Sequence, residues 1–325
     1  MRICLLQYGV NINTCASFWT RMYLICYNTY YSNILYGWPL MFYTPLRYPG
    51  GKGKLSYYIK SIIDVNNIND GVYIEPYAGG AAVALELLMQ EYVRHIHIND
   101  IDPAIYNFWF SVINHTDELC KLINDVDVNI EVWEEQKKII ADPKSNTQLA
   151  IGFSAFFLNR TNRSGILKAG VIGGKKQDGN WKMDVRFNKK DLINRIEKIA
   201  DYGSRISLYN SDTLEFLNGL SHVNTTNTLL YLDPPYYLKG QGLYRNFYNH
   251  DDHVLVMKAL KNTYFKNWIV SYDNAVEIKE IYQDFRIQEY SLQYTAQLKK
   301  VGGEVMIFSP EIKIPPLPIG IKTAM

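Results

Sequence analysis

Asp233, Pro234, Pro235 and Tyr236 follow directly on the apolar run 228–232, in "NTLLYLDPPYYLKG". The run reads as a buried strand. The two prolines have no N–H to give to a ladder, so the strand must stop there. Both proline φ angles are fixed, which leaves Asp233 at the strand's carboxyl end with a stiff segment behind it and Tyr236 just beyond. Open α/β sheets bind their ligands at that edge. An ordinary strand stop with a turn acid is the plain alternative.

A second group lies upstream. Glu75-Pro76-Tyr77-Ala78-Gly79-Gly80 separates an apolar strand from a helix-spaced run, and Asp100 follows 21 residues after Gly79. Glycines in such a turn let a ligand approach the backbone, and an acid at about that spacing holds ribose hydroxyls in nucleotide folds. A dinucleotide turn would carry G-x-G-x-x-G. Here Glu75 and a proline stand instead, and a carboxylate would repel a pyrophosphate. It suits a cofactor with a cationic amino acid end, such as S-adenosylmethionine. Further upstream, "PLRYPGGKGKL" places Tyr48, Gly50, Gly51 and Lys52 in a basic loop. That loop lacks the Walker spacing and the Ser or Thr after its lysine.

These residues need a scaffold to bring them together. "VYIEPYAGG", "AAVALELLMQEYV", "HIHIND" and "PAIYNFWFSVI" read as strand, helix, strand and helix, with Pro103 in the first turn of the second helix. That is the opening of a doubly wound sheet. Strand patterns return at "RISLYN", "NTLLYLD" and "NWIVSYD", and "RIQEYSL" with "EVMIFSP" reads as a closing antiparallel pair. Between the two sets, residues 116–158 read as mostly helical and 159–190 as a loop-rich segment. The expected architecture is an α/β sheet domain from 41–111 and 201–312. It is interrupted by a smaller, mainly helical domain over 112–200 and followed by an extended tail, 313–325. The aromatic-rich segment 1–40 reads as an extension, with the functional domain beginning near Met41.

Bulk composition narrows the classes. The chain has 325 residues, 47% hydrophobic, with a net charge of +2. No uninterrupted apolar stretch reaches about 18 residues, so no membrane span is expected. Cys4, Cys15, Cys26 and Cys120 form no CxxC, and the six histidines include no HExxH, so neither a disulfide framework nor a metal site is expected. His95 and His97 alternate in a strand and read as structural. The charge is uneven. Residues 157–190 hold nine Lys or Arg against two Asp, a local +7 that leaves −5 for the rest. Such a patch is the footprint of a nucleic-acid binder, although a solvated lysine-rich loop would look the same by charge alone.

Taken in order, Tyr-Pro-Gly-Gly-Lys at 48–52, Glu-Pro-Tyr-Ala-Gly-Gly at 75–80, Asp-Ile-Asp at 100–102 and Asp-Pro-Pro-Tyr at 233–236 form a set. It resembles the Dam-type DNA adenine methyltransferases, the alpha-ordered amino methyltransferases. The resemblance extends to "FFLNRTNRSGI", "VSYDN" and "EVMIFS" and covers about residues 44–309. It implies a Rossmann-like sheet that binds S-adenosyl-L-methionine as methyl donor, with no metal. By the same resemblance Tyr48 and Lys52 contact the cofactor, with Tyr48 where the family more often has Trp. Asp100 holds the ribose hydroxyls, Glu75 and Gly79 line the methionine side, and Asp233 is the catalytic acid and lies against the cofactor. Asp212 either approaches the cofactor adenine or caps a helix.

The implied reaction answers the Asp-Pro-Pro-Tyr pattern. The exocyclic nitrogen of adenine is a poor nucleophile because its lone pair is delocalised into the ring. Acceptors on its two N–H bonds, the Asp233 carboxylate and a Pro234 or Pro235 carbonyl, would free that pair. Tyr236 would offer a stacking face to a base flipped out of duplex DNA. Arg160, Asn162, Arg163 and Lys168, with Asn159, are candidate DNA contacts in the basic segment. The expectation is therefore a site-specific adenine-N6 methyltransferase acting on double-stranded DNA, cytoplasmic in a prokaryote or phage-encoded, with a restriction endonuclease as a candidate partner. The alternatives are cytosine N4 or RNA adenine as acceptor, a nucleotide-binding oxidoreductase, and a non-catalytic DNA-binding module.

Overall fold

The computed structural model describes residues 43–47, 55–238, 248–293 and 301–317. All belong to the second of two units into which the chain divides, Phe42–Met325. Tyr48, Lys52, the extension 1–40 and the tail beyond 317 lie outside the described residues.

Seven strands form one sheet: β1 (Gly71–Glu75), β2 (Val93–Asn99), β3 (Ile206–Tyr209), β4 (Thr228–Leu232), β5 (Asn267–Asp273), β6 (Arg286–Gln293) and β7 (Val301–Phe308). Their order is β3-β2-β1-β4-β5-β7-β6. The first five are parallel, and β7 runs antiparallel between β5 and β6. The closing pair is as the sequence suggests. Helices cover both faces, so the central strands read as unbroken apolar runs; every residue of β4 is buried.

Alternation along the strands sends side chains into two cores. Tyr73, Leu229, Tyr231, Ile269, Met306 and Phe308 face one side, against α1 (Ser56–Val65) and α2 (Ala82–Met89). Ile74, Leu230, Leu232, Val270, Tyr272 and Ile307 face the other, against α8 (Thr213–Gly219), α9 (His250–Lys261) and α10 (Val276–Ile281). The helix α2 ends at Met89, earlier than its apolar spacing suggests. Glu91 takes a left-handed φ of 56°, and Val93 already pairs with Gly71 in the sheet. Pairing with β1 outweighs helical periodicity there.

Between β2 and β3 the chain is helical: α3 (Pro103–Asn114), α4 (Thr116–Asp125), α5 (Ile130–Ala141), α6 (Gln148–Thr161) and α7 (Lys189–Ala200). Asp102 accepts a hydrogen bond from the Ala104 N–H at 3.0 Å and caps α3, with Pro103 at its first position. Gly152 of α6 lies on the backbone of Asn107, where a Cβ would collide, so α3 and α6 pack closely. One apolar cluster runs without a break from the sheet through Phe108 and Trp109 to Phe156 and Phe187. The helical segment therefore shares the core of the sheet. Among the described residues, no helix is long and apolar enough to cross a membrane.

Candidate active site

The chain adds β2 and β3 on one side of β1, then crosses to add β4 on the other. The carboxyl ends of β1 and β4 thus flank the switch point, where open α/β sheets leave a crevice. Glu75 is the last residue of β1, and Asp233 is the first after β4. By alternation both lie on the face of Tyr73 and Tyr231, whose rings stack at 6.4 Å.

Glu75 is only 5% exposed, and its Oε2 has no hydrogen-bond partner. Burial, and next the negative charge of Asp233, push its carboxyl well above the usual carboxylate range, although the Ala84 N–H pulls the other way. A buried carboxylate oxygen lacking a donor fits a cationic ligand group, as the α-ammonium of S-adenosylmethionine would be. The donor set here is compatible with that cofactor. Among the described residues no group of three or more His, Cys, Asp or Glu is placed to hold a metal ion.

The turn after β1 is held by the end of β2. Asn99 donates to the Pro76 carbonyl at 3.0 Å, and the Gly79 N–H donates to Asp100 Oδ2 at 2.9 Å. Trp109 Nε1 donates to the Gly79 carbonyl at 2.9 Å. Gly79 sits at φ 46°, a left-handed conformation that suits glycine. Asp100 Oδ1 accepts from the Asp102 N–H at 2.9 Å. Each oxygen keeps a second lone pair, so ribose hydroxyls could still donate to it. Loss of water around the half-buried Asp100 raises its pKa to about 7, with the two N–H donors acting against the shift. Asp212 caps α8 through Oδ1 and the Leu214 N–H at 2.9 Å, so the capping reading of that residue is realised.

Pro234 and Pro235 are buried, and so is Tyr236. Its hydroxyl donates to Glu304 Oε1 at 2.9 Å, which draws the ring inward as a wall. Sequence reasoning also missed Asp273, the last residue of β5. Its two oxygens accept the N–H groups of Tyr237 and Leu238, each at 2.9 Å. The signal was available, because "NWIVSYD" ends in an acid as "NTLLYLD" does.

In the basic segment the expected contacts separate. Asn162 is fully buried. Its Oδ1 accepts from Trp133 Nε1 at 2.7 Å, and its Nδ2 donates to the Ile166 and Leu167 carbonyls at 3.0 Å each. It orders the loop from inside, which corrects its place among the DNA contacts. Asn159 is buried as well and brackets the Arg47 backbone with 2.7 Å bonds to its N–H and carbonyl. Gly165 takes φ +75° beside the Arg47 carbonyl, where a Cβ would collide. Arg160 is half-buried and donates to the Arg186 and Pro45 carbonyls. Burial, then the charges of Arg47 and Arg195, lower its pKa to about 10. Arg163 and Lys168 are exposed. Lys175 pairs with Glu134 at 2.6 Å, and Lys182 donates to the Gln177 carbonyl. The strand histidines are structural, His95 bonding Ser207 and His97 bonding Tyr209, each at 2.9 Å.

The sheet order, the glycine turn and the acids at the ends of β1, β2 and β4 define a Rossmann-like methyltransferase. Residues 48–296 match the model of the D12 class N6 adenine-specific DNA methyltransferases, and the chain belongs to that family. It is an adenine-N6 methyltransferase. No curated protein matches the chain. Among solved structures, the rRNA methyltransferase aviRa from Streptomyces viridochromogenes is similar at 12% identity and a TM-score of 0.36, covering 83% of this chain and 91% of that one. A dimethyladenosine transferase from Plasmodium falciparum is similar at 10% identity and a TM-score of 0.33, covering 82% and 63%.

Proposed function

We propose that this enzyme transfers a methyl group from S-adenosyl-L-methionine to N6 of an adenine flipped out of duplex DNA at a defined short sequence. The observation that carries this reading is the juxtaposition of Asp233 and Glu75 at the switch point, in a chain of the D12 family. When bound, the cofactor supplies an electrophilic methyl carbon. The protein's part is to hold and activate the nitrogen. Asp233 accepts one N6–H bond and the Pro234 or Pro235 carbonyl the other, which weakens delocalisation of the lone pair into the ring. Two prolines keep that carbonyl's direction fixed before the base arrives, so little reorganisation remains for the transition state. Glu75 and the Gly79 turn hold the amino acid end of the cofactor and Asp100 its ribose. Tyr48 and Lys52 complete that site by the family resemblance. Arg163 and Lys168 neutralise phosphates or meet base edges, and a cognate restriction endonuclease remains a candidate partner.

The test uses purified full-length protein, tritiated cofactor and unmethylated duplex DNA, followed by nucleoside analysis. Label in N6-methyladenine within one recurrent sequence is expected. Label confined to N4-methylcytosine or to added RNA would overturn the assigned acceptor.

The Asp100 carboxyl gives this reading a pH signature. Ribose hydroxyls donate to the ionised form, and in the free enzyme that form appears only as pH rises through about 7. Cofactor affinity should therefore rise between pH 6 and 8 with net proton release, and Asp100→Asn should flatten the slope. Stability of the free enzyme moves in the opposite sense. A raised carboxyl pKa stabilises the fold below the ordinary carboxylate range, and that contribution is lost as pH rises through 7. Calorimetry in two buffers of different ionisation enthalpy measures the proton count.

Arg163→Ala should weaken DNA binding by about 1 kcal/mol and lower the slope of log K against log salt by about 1. Cofactor affinity and the melting temperature should not change, because the side chain is exposed. Unchanged DNA affinity would remove Arg163 from the contacts.

A further inference from the structure

Asp273 and Glu304 are directly paired residues of the antiparallel strands β5 and β7. Such partners project to the same face, and here it is the face that carries Glu75 and Asp233. Both are almost completely buried, at 5% and 2% exposure. Burying two acids side by side costs free energy, so their presence there calls for hydrogen-bond donors that offset it. Donors converge from the segment that follows Asp233 and from β6. Asp273 accepts the N–H groups of Tyr237 and Leu238, at 2.9 Å each. Glu304 accepts the Tyr236 hydroxyl at 2.9 Å on one oxygen and the Tyr290 hydroxyl at 2.6 Å on the other. Three consecutive residues directly after the two prolines are therefore tied to two strands that carry none of the acceptors assigned to adenine. Tyr237 is held at its far end too, with its hydroxyl 3.1 Å from His250 Nδ1.

We propose that Asp273 and Glu304 act as a carboxylate clamp that sets the position of the Asp233–Tyr236 segment, making both of them positioning residues for methyl transfer. Asp233 sits at the end of a strand whose ladder stops at Leu232, and the prolines add no N–H bonds of their own. Prolines fix the local shape of the segment but not where it lies relative to the crevice. The clamp supplies that second constraint from the neighbouring strand and the one beyond it. It also explains why Tyr236 is drawn inward by its hydroxyl. This inference rests on the assignment of Asp233 to catalysis, and the experiment separates the two.

Asp273→Ala, Asp273→Asn, Glu304→Gln and Tyr236→Phe would be compared with wild type and with Asp233→Ala. The readouts are the single-turnover methylation rate, KM for cofactor and for DNA, and the melting temperature. All rates would be taken well below each variant's transition. Displacement of a reacting group by about 1 Å costs on the order of 100-fold in rate. Asp273→Ala should thus lose about 10- to 100-fold in kcat, with both KM values within about threefold. Asp273→Asn keeps one acceptor oxygen and should recover part of that loss. Tyr236→Phe keeps the ring and loses only the bond to Glu304, so a fall in kcat there separates anchoring from stacking. If Asp273→Ala does not fold, Asp273→Asn is judged by the same split. Folded Asp273 variants with kcat within twofold of wild type would overturn the clamp, as would a pure rise in KM. An Asp233→Ala enzyme that methylates normally would instead overturn the assignment on which the clamp depends.

Discussion

Asp233→Ala is expected to lower the methylation rate by about 100- to 1,000-fold while leaving DNA affinity within about threefold, since removing one preorganised polar group aimed at the reacting atom costs on the order of 10²–10³. The argument starts from the nitrogen. N6 reacts only when its lone pair is withdrawn from the ring, and that requires acceptors on both of its hydrogens. Asp233 is the charged member of the proposed pair, and it stands directly after the end of β4. Glu75 is an acid on the same face, but it belongs to β1, and burial and Asp233 together hold its carboxyl well above the ordinary range. Loss of Asp233 also removes the smaller of the two causes that raise Glu75, burial being the larger. Because Glu75 is affected as well, binding of S-adenosylmethionine is measured beside the rate. A rate within tenfold of wild type would show that Asp233 is not the acceptor. Asp233→Asn keeps shape and one acceptor oxygen, and it should stay far below wild type because the charge is gone.

The second large effect concerns stability. Asn162→Ala should cost about 3 kcal/mol, because the Trp133 indole N–H and the Ile166 and Leu167 carbonyls each lose a buried partner worth about 1–3 kcal/mol, with water relieving part of the deficit. For a chain of this size, at about 2 cal/mol/K of unfolding entropy per residue, that corresponds to a melting temperature lower by roughly 4–5 °C. The same loop carries Arg163 at its surface, so DNA affinity should fall as a consequence of disorder. The test compares Asn162→Ala with Arg163→Ala by thermal melting and DNA titration. A direct DNA contact at Asn162 would predict weaker binding at an unchanged melting temperature, and that result would restore its first reading.

The two asparagines show where sequence reasoning reaches its limit. "FFLNRTNRSGI" is polar and basic, and nothing in its local pattern tells an inward asparagine from an outward one. Asn159 and Asn162 turn inward because of what the fold brings to them: the backbone at Arg47 and the indole of Trp133, distant along the chain. Arg163, one residue on, stays outside. Buried amides recruit partners from distant segments, and a sequence does not display which segments will meet.

The strand ends lie at the other extreme. Prolines stop β4 at Leu232 by removing N–H groups, and the glycine turn after Glu75 follows from its own backbone freedom. Strand periodicity and those breakers are local properties, so the sheet, its closing antiparallel pair, and the candidate acids Glu75, Asp100 and Asp233 were legible in the sequence alone. Only the tertiary structure decided how the strands are ordered across the switch point, that β7 sets Glu304 opposite Asp273, and that both grip the segment after the prolines. The reason is physical: a breaker acts on its own residue, whereas a hydrogen bond between strands exists only once two distant pieces of chain have been packed side by side.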